Sequence, residues 1–244
     1  MTYLRYITPT TNIKINNPNS YKIATPEEIN QINEYSSIIK QIAHFYETNL
    51  SNSKIDYVYK ENNSIQILPV KYKCENFPHL TGINFDRKSA KEKFNYLKYG
   101  YNETPIIIER NKATLEKLNV LYKIPELIIA SSAVLTQLRD IKQAQRINFS
   151  RGIKDSNNEL LLALQNFQPE FYQPKSLLNI SKKNAYQYVP ENTVLGIFKE
   201  QPIRDGIHIE PISLNRDSLD NIAITTEMLI SMKKYADSIN RKKH

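Results

Sequence analysis

The residues best suited to chemistry sit in two short segments. The first is Asn76-Phe77-Pro78-His79-Leu80-Thr81-Gly82-Ile83. A histidine beside proline, followed by a hydroxyl residue and glycine, predicts a turn that carries a titratable group. Imidazole ionises near neutral pH and suits general acid–base work, which is worth about 10²–10⁴ in rate. The competing reading is a structural histidine bonded to a loop backbone. The second segment is Tyr172-Gln173-Pro174-Lys175-Ser176-Leu177-Leu178-Asn179-Ile180-Ser181-Lys182-Lys183, with hydroxyls, amides and three lysines. Transesterification of RNA needs a base at the 2′-oxygen, cations at the scissile phosphate and an acid at the leaving 5′-oxygen. Lys and Ser or Thr side chains serve the phosphate without a metal. The competing reading here is a solvated turn between two strands.

Other constellations are absent from the chain. Five glycines leave little scope for a phosphate-cradling loop, and neither a Walker pattern nor a nucleophile elbow occurs. His44, His79, His208 and His244 lie far apart, with no pair at metal-ligand spacing. His44 reads as a solvated or packing residue, and His208 as part of a Gly-containing loop before an extended piece. The single cysteine, Cys74, excludes an internal disulfide and a Cys-based zinc site, and its strand-like surroundings beside Lys73 and Glu75 suggest an inert thiol. No cofactor is expected.

A net charge of +8 and a pI near 9.3 favour polyanionic partners, because each phosphate contact releases a counterion. The abundance of Asn, Lys, Ile and Tyr fits AT-rich coding and needs no functional cause. The first residues lack the apolar core of a signal peptide. The longest apolar run, Leu127 to Leu135, is broken by Ser131 and Ser132 and is too short to span a bilayer. A cytoplasmic protein without a membrane partner is expected.

The positioning elements follow from pattern. Thr25-Pro26-Glu27-Glu28 gives a cap, an N1 proline and an N3 glutamate, and Ile29, Ile32, Ile39, Ile42 and Tyr46 continue at helical spacing, predicting a helix over about 26–48. Lys54–Tyr59 and Ile65–Tyr72 read as a hairpin across Lys60–Ser64, with Pro69 marking an edge strand or bulge. Ser89-Ala90-Lys91-Glu92 opens a second helix that Gly100 stops. Thr104–Ile108 is read as extended, 111–122 and 125–147 as helices, and Arg151–Asn158 as a loop. Strands are expected over 160–166, 171–178 and 193–199. Met228, Met232, Tyr235 and Ile239 fall on one face of a closing helix that ends in Arg241-Lys242-Lys243-His244. That basic end suits a helix C-terminus electrostatically.

Helices come first, strands flank a helical stretch and a helix closes, which argues for α+β architecture. The expected arrangement is an N-terminal helix packed on an antiparallel sheet, with a helical insertion and a C-terminal helix. The chain divides into an N-terminal arm (1–25), a main α+β domain (26–205) and a C-terminal extension (206–244).

The two segments together, with Thr193-Val194-Leu195-Gly196-Ile197-Phe198-Lys199 after them, resemble the fourth phage-associated group of the barnase–EndoU–colicin–RelE-like nucleases. The resemblance covers roughly residues 26–205. It implies a metal-independent ribonuclease of the toxin or phage–host conflict type, with RNA as substrate and an antitoxin or host protein as a further partner. By carry-over His79 is the general acid–base residue, and Thr81, Ser176 and Lys182 contact the phosphate or assist the base. Lys175, Lys183 and Lys199 are alternatives to Lys182. Two other readings stand beside it: a non-catalytic phage or mobile-element protein that occludes a nucleic acid or a host defence enzyme, and a structural or assembly protein of a virion or mobile element using exposed tyrosines and the tail helix.

Overall fold

The computed structural model describes residues 2–9, 13, 15, 17–168, 170–204, 206–219 and 222–241. Lys242, Lys243 and His244, the basic end of the tail, lie outside the described residues. So does the side chain of Ile239.

The N-terminal helical region begins as its cap dictates. Thr25 accepts from the Glu28 backbone N–H at 3.3 Å, and the Glu28 carboxylate accepts from the Thr25 N–H at 3.1 Å. The single helix expected over 26–48 is three pieces: α1 (Pro26–Glu34), α2 (Ser36–Phe45) and a π-helical turn at Tyr46–Leu50. Tyr35, at φ −90° and ψ 6°, makes the break. Ile29, Ile32, Ile39, Ile42 and Tyr46 are nevertheless all buried, so the apolar stripe continues across it.

Strand β1 (Tyr21–Ile23) precedes α1, and β2 (Ser53–Glu61) and β3 (Ser64–Tyr72) follow it as the expected hairpin. The turn is only Asn62-Asn63, both at positive φ, as a tight primed hairpin turn requires. On β2, Ile55, Tyr57 and Tyr59 enter the main core while Val58 enters a second one on the opposite face. Next come α3 (Phe77–Thr81), β4 (Ile83–Phe85), α4 (Ala90–Tyr99), β5 (Ile106–Glu109) and α5 (Ala113–Leu121). Cys74 lies in a 3-10 turn, Cys74–Asn76, and not in a strand. Ser89 caps α4 and Gly100, in the left-handed region, stops it.

The expected helix over 125–147 is overturned. Ile124–Ile128 is a 3-10 turn, Ala133–Leu135 is strand β6, and only Lys142–Ile147 is helical (α6). A short apolar run without clear period fits strand or helix equally, and here pairing with two neighbours decides it. Arg151–Lys154, expected as loop, is strand β7. The strands β8 (Leu160–Gln168), β9 (Phe171–Asn179) and β10 (Glu191–Ile203) stand where expected. His208 lies in strand β11 (Gly206–Leu214), not in a loop. Helices α7 (Arg216–Leu219) and α8 (Ile222–Arg241) close the described chain, with Met228 and Met232 buried.

The architecture is α+β. Among the described residues, the large sheet runs β11-β10-β2-β3-β9-β8-β7-β6, and β6 also pairs with β10. Glu191–Thr193 of β10 meet β6, so seven strands from β10 round to β6 close a ring, with β11 continuing along the same edge of β10. Every pair is antiparallel except β3–β9, which is joined only at Val70–Tyr172. Pro69 therefore does not mark an edge strand: β3 lies between β2 and β9, and the brevity of the second pairing accommodates a residue without an N–H. Strands β1, β5 and β4 form a separate small sheet beside α3. One face of the ring shares the largest core with α1–α5. Other patches of the sheet are covered by α6 and α8 through two smaller cores.

Candidate active site

His79 stands in the middle of the five-residue helix α3. Pro78 and the fixed turn at Gly82 bound it on either side. Gly82 sits at φ +71° and its N–H closes the helix onto the Pro78 carbonyl at 3.0 Å. Two side chains of α5 hold this helix end. Thr114 Oγ1 donates to the Gly82 carbonyl at 3.0 Å and accepts from the Glu109 N–H at 3.0 Å. Lys117 Nζ donates to the His79 carbonyl at 2.9 Å and to Glu109 Oε1 at 2.6 Å. Lys117 is only 6% exposed, so this is an internal anchor.

The imidazole itself is exposed. It lines a cleft of about 1010 Å³ and also a second cavity of about 520 Å³ that is lined by Asp86, Lys88 and Lys93. One side of the larger cleft is built from α3, Lys73, Glu75, the Glu109–Asn111 turn and α5. The other comes from β8 and β9, through Gln165, Phe167, Gln173, Lys175 and Ser176, and from Arg146 on α6. Protein on several sides displaces part of the imidazole's hydration and lowers its pKa. The Lys117 and Lys93 charges add to this, and Glu109 opposes it. The shift favours the neutral ring, the state of a general base.

The sequence-derived residues divide plainly. His79 and Ser176 line the same cleft, as does Lys175. Lys175 is the unpaired residue of a β-bulge, since Ala163 faces Ser176 and Leu164 faces Pro174. A bulge of this kind re-aims a side chain out of the regular alternation. Thr81 is fully buried: its hydroxyl donates to the Pro78 carbonyl at 2.9 Å and accepts from the Ile83 N–H at 3.2 Å. It shapes the helix end and does not line the cleft. Lys182 is exposed in the turn after β9 and lines neither cavity. Lys183 approaches Glu116 of the cleft at 3.9 Å, and burial lowers its pKa. Lys199 pairs across β10 with Ile55 of β2, away from the cleft.

Sequence reasoning missed Lys117, Glu109, Gln173 and Phe167. The first two matter only through contacts that the fold creates. Gln173 lay inside the quoted segment without a role. The Lys73 ammonium lies 5.6 Å from the Phe167 ring, and an exposed phenylalanine of this kind leaves no mark in composition.

Cations outnumber acids in the cleft: Lys73, Arg110, Lys117, Arg146 and Lys175 face Glu75, Glu109 and Glu116. Such a surface attracts phosphate. Among the described residues no group of three His, Cys, Asp or Glu side chains is arranged to hold a metal ion, and no helix is long and apolar enough to cross a membrane. A family model described as phage-Barnase-EndoU-ColicinE5/D-RelE like nuclease 4 matches residues 38–204. No curated protein and no solved structure gives a significant match.

Proposed function

From the premise that the chain belongs to the phage-Barnase-EndoU-ColicinE5/D-RelE like nuclease 4 family, we propose that it is a metal-independent endoribonuclease used in phage–host conflict or as a toxin. The observation that carries this reading is the exposed His79 in a cation-rich cleft shared with Lys175 and Ser176, and its lowered pKa favours the neutral form a base needs. His79 takes the proton from a ribose 2′-hydroxyl, and the 2′-oxygen attacks the adjacent phosphorus. The bond from phosphorus to the 5′-oxygen breaks, leaving a 2′,3′-cyclic phosphate and a free 5′-hydroxyl. Lys175 offsets the charge that builds on the phosphate oxygens and gives the departing 5′-oxygen its proton, since an ammonium is far more acidic than an alcohol. Ser176 donates to a phosphate oxygen. His79 then releases its proton to solvent and Lys175 takes one back from solvent, so the enzyme is restored.

The test is cleavage of total RNA and of labelled single- and double-stranded DNA in EDTA, beside His79→Ala. RNA cleavage that survives the chelator and is lost in the variant supports the proposal. Salt-sensitive binding without cleavage in any lane would transfer the reading to an occluding protein on a nuclease fold.

A further inference from the structure

The floor and rim of the His79 cleft carry two features that acid–base chemistry does not use. Gln173 is 5% exposed and its amide nitrogen is sealed from solvent without a hydrogen-bond partner, yet the residue lines the cleft. A buried amide left unpaired is costly and calls for an explanation, which an acceptor on a ligand would supply. A little further along the same two strands, Phe167 is 53% exposed. Asn166 faces Tyr172 and Gln168 faces Phe171, so Phe167 is the extra residue of a second bulge. Its ring stacks on Phe171 at 6.0 Å and 29° between planes. The Lys73 and Lys71 ammonium groups lie 5.6 and 5.3 Å from the Phe167 and Phe171 rings.

We propose that these residues form a nucleobase subsite beside the scissile linkage, with Phe167 as the stacking platform and the Gln173 amide as the group that reads the base edge. The inference rests on the nuclease reading and deepens it: the substrate is single-stranded RNA, and the enzyme discriminates among bases. The chemistry is complementary. An exposed aromatic ring binds any base by its π-face, and neighbouring lysines hold the phosphates on either side. Stacking of a base outweighs an exposed cation–π contact, so a base takes the ring face while Lys73 turns to the backbone. When the Gln173 side chain turns into the cleft its amide nitrogen, unpaired in the free protein, gains an acceptor on the base, and a base without one leaves it unpaired, which is the basis of discrimination. A duplex presents no unstacked base to the platform.

The experiment uses the full chain and short single-stranded RNAs that differ in the bases flanking the cleaved linkage, with the corresponding duplexes. Wild type is expected to cut the single strands at least about tenfold faster than the duplexes and to rank the bases unequally. Phe167→Ala is expected to raise KM about tenfold with kcat largely retained, one base-stacking interaction's worth. Gln173→Met, of similar volume, is expected to keep the Tm and flatten the ranking, because the amide nitrogen has no partner in the protein to lose. Equal cleavage of duplex and single strand, or a base ranking unchanged in Gln173→Met, overturns the subsite and leaves the nuclease reading standing. A wild type that cuts no RNA overturns both.

Discussion

Lys117 Nζ donates to the main-chain carbonyl of His79 at 2.9 Å, so the backbone of the candidate base is tied to α5 through a side chain almost wholly buried. The same ammonium binds Glu109 at 2.6 Å, whose side chain is 20% exposed. Lys117→Met keeps the stem that packs against Gly82 and removes the charge. It leaves a carbonyl and a carboxylate without their donor, and a loss of about 1–3 kcal/mol is expected by denaturant unfolding. Because a small misplacement of a catalytic group costs far more than its free energy suggests, kcat is expected to fall by about 10²-fold. An unchanged kcat in a folded Lys117→Met protein would show that the anchor has no part in positioning His79.

The pH dependence of cleavage has a defined sign. Burial, then Lys117 and Lys93, lower the His79 pKa from the ordinary 6.5. A base works in its neutral form, so kcat/KM should rise with pH through a midpoint below that value. Lys93→Gln removes one of the two cations and should move the midpoint upward toward 6.5. The unfolded chain protonates more readily than the folded one here, so the contribution of His79 to stability is full above 6.5 and is lost as pH falls through the folded pKa. The imidazole C2–H chemical shift gives the pKa directly in each protein. A midpoint that stays put or moves down in Lys93→Gln would contradict the electrostatic account.

Gly82 ends the helix of His79 at φ +71°, where an added Cβ would meet Thr114 Oγ1 at 3.1 Å and Lys117 Cδ at 3.2 Å. Gly82→Ala is expected to cost about 1–2 kcal/mol from the left-handed backbone, before any crowding. Gly82→Asn separates the two contributions, since asparagine tolerates that conformation but keeps the Cβ. If Gly82→Asn is as stable as wild type, the contacts with Thr114 and Lys117 yield easily, and the loss in Gly82→Ala is conformational.

Much of this was legible in the sequence where the signal is local. The capping boxes at Thr25 and Ser89 place the starts of α1 and α4 to the residue, and β8, β9 and β10 stand where alternation and apolar runs put them. The segment with His79 and the segment with Ser176 were visible as motifs, and the structure brings those two residues to one cleft. What was not legible is set by distant partners. The run through Ala133–Leu135 has no period to declare itself, and it is a strand because β7 and β10 flank it. Arg151–Lys154, rich in turn-forming neighbours, is a strand by its pairing with β6 and β8. Lys117 carries no local signal, because its partners His79 and Glu109 come from other elements. Lys175 and Phe167 owe their directions to bulges, which a sequence does not announce.

The outer surface of β2 holds a buried carboxylate, Asp56, whose ionisation should govern how α8 is seated. Asp56 is wholly buried beneath that helix; Tyr235 of α8 donates to Asp56 at 3.2 Å and to Glu200 at 3.1 Å, and Lys54 binds Glu200 at 2.7 Å. Burial first, and the Glu200 charge second, push Asp56 up to about 8, against the pull of Lys54. The folded protein therefore holds a proton that the unfolded chain releases near 3.8. Between those values the native state binds more protons, so the contribution of this group to stability is full below 3.8 and declines as pH rises toward 8. Asp56→Asn replaces the protonated acid by an amide of the same shape that cannot ionise. Its stability relative to wild type should thus increase with pH, by about 1 kcal/mol or more between pH 5 and 8.5, and its α8 amides should exchange more slowly than those of wild type at the upper end. Urea unfolding at a series of pH values, with hydrogen exchange at the two extremes, measures both. A stability difference that does not change with pH would mean that Asp56 is already ionised in the folded protein and that Lys54 and Tyr235 satisfy it as a carboxylate.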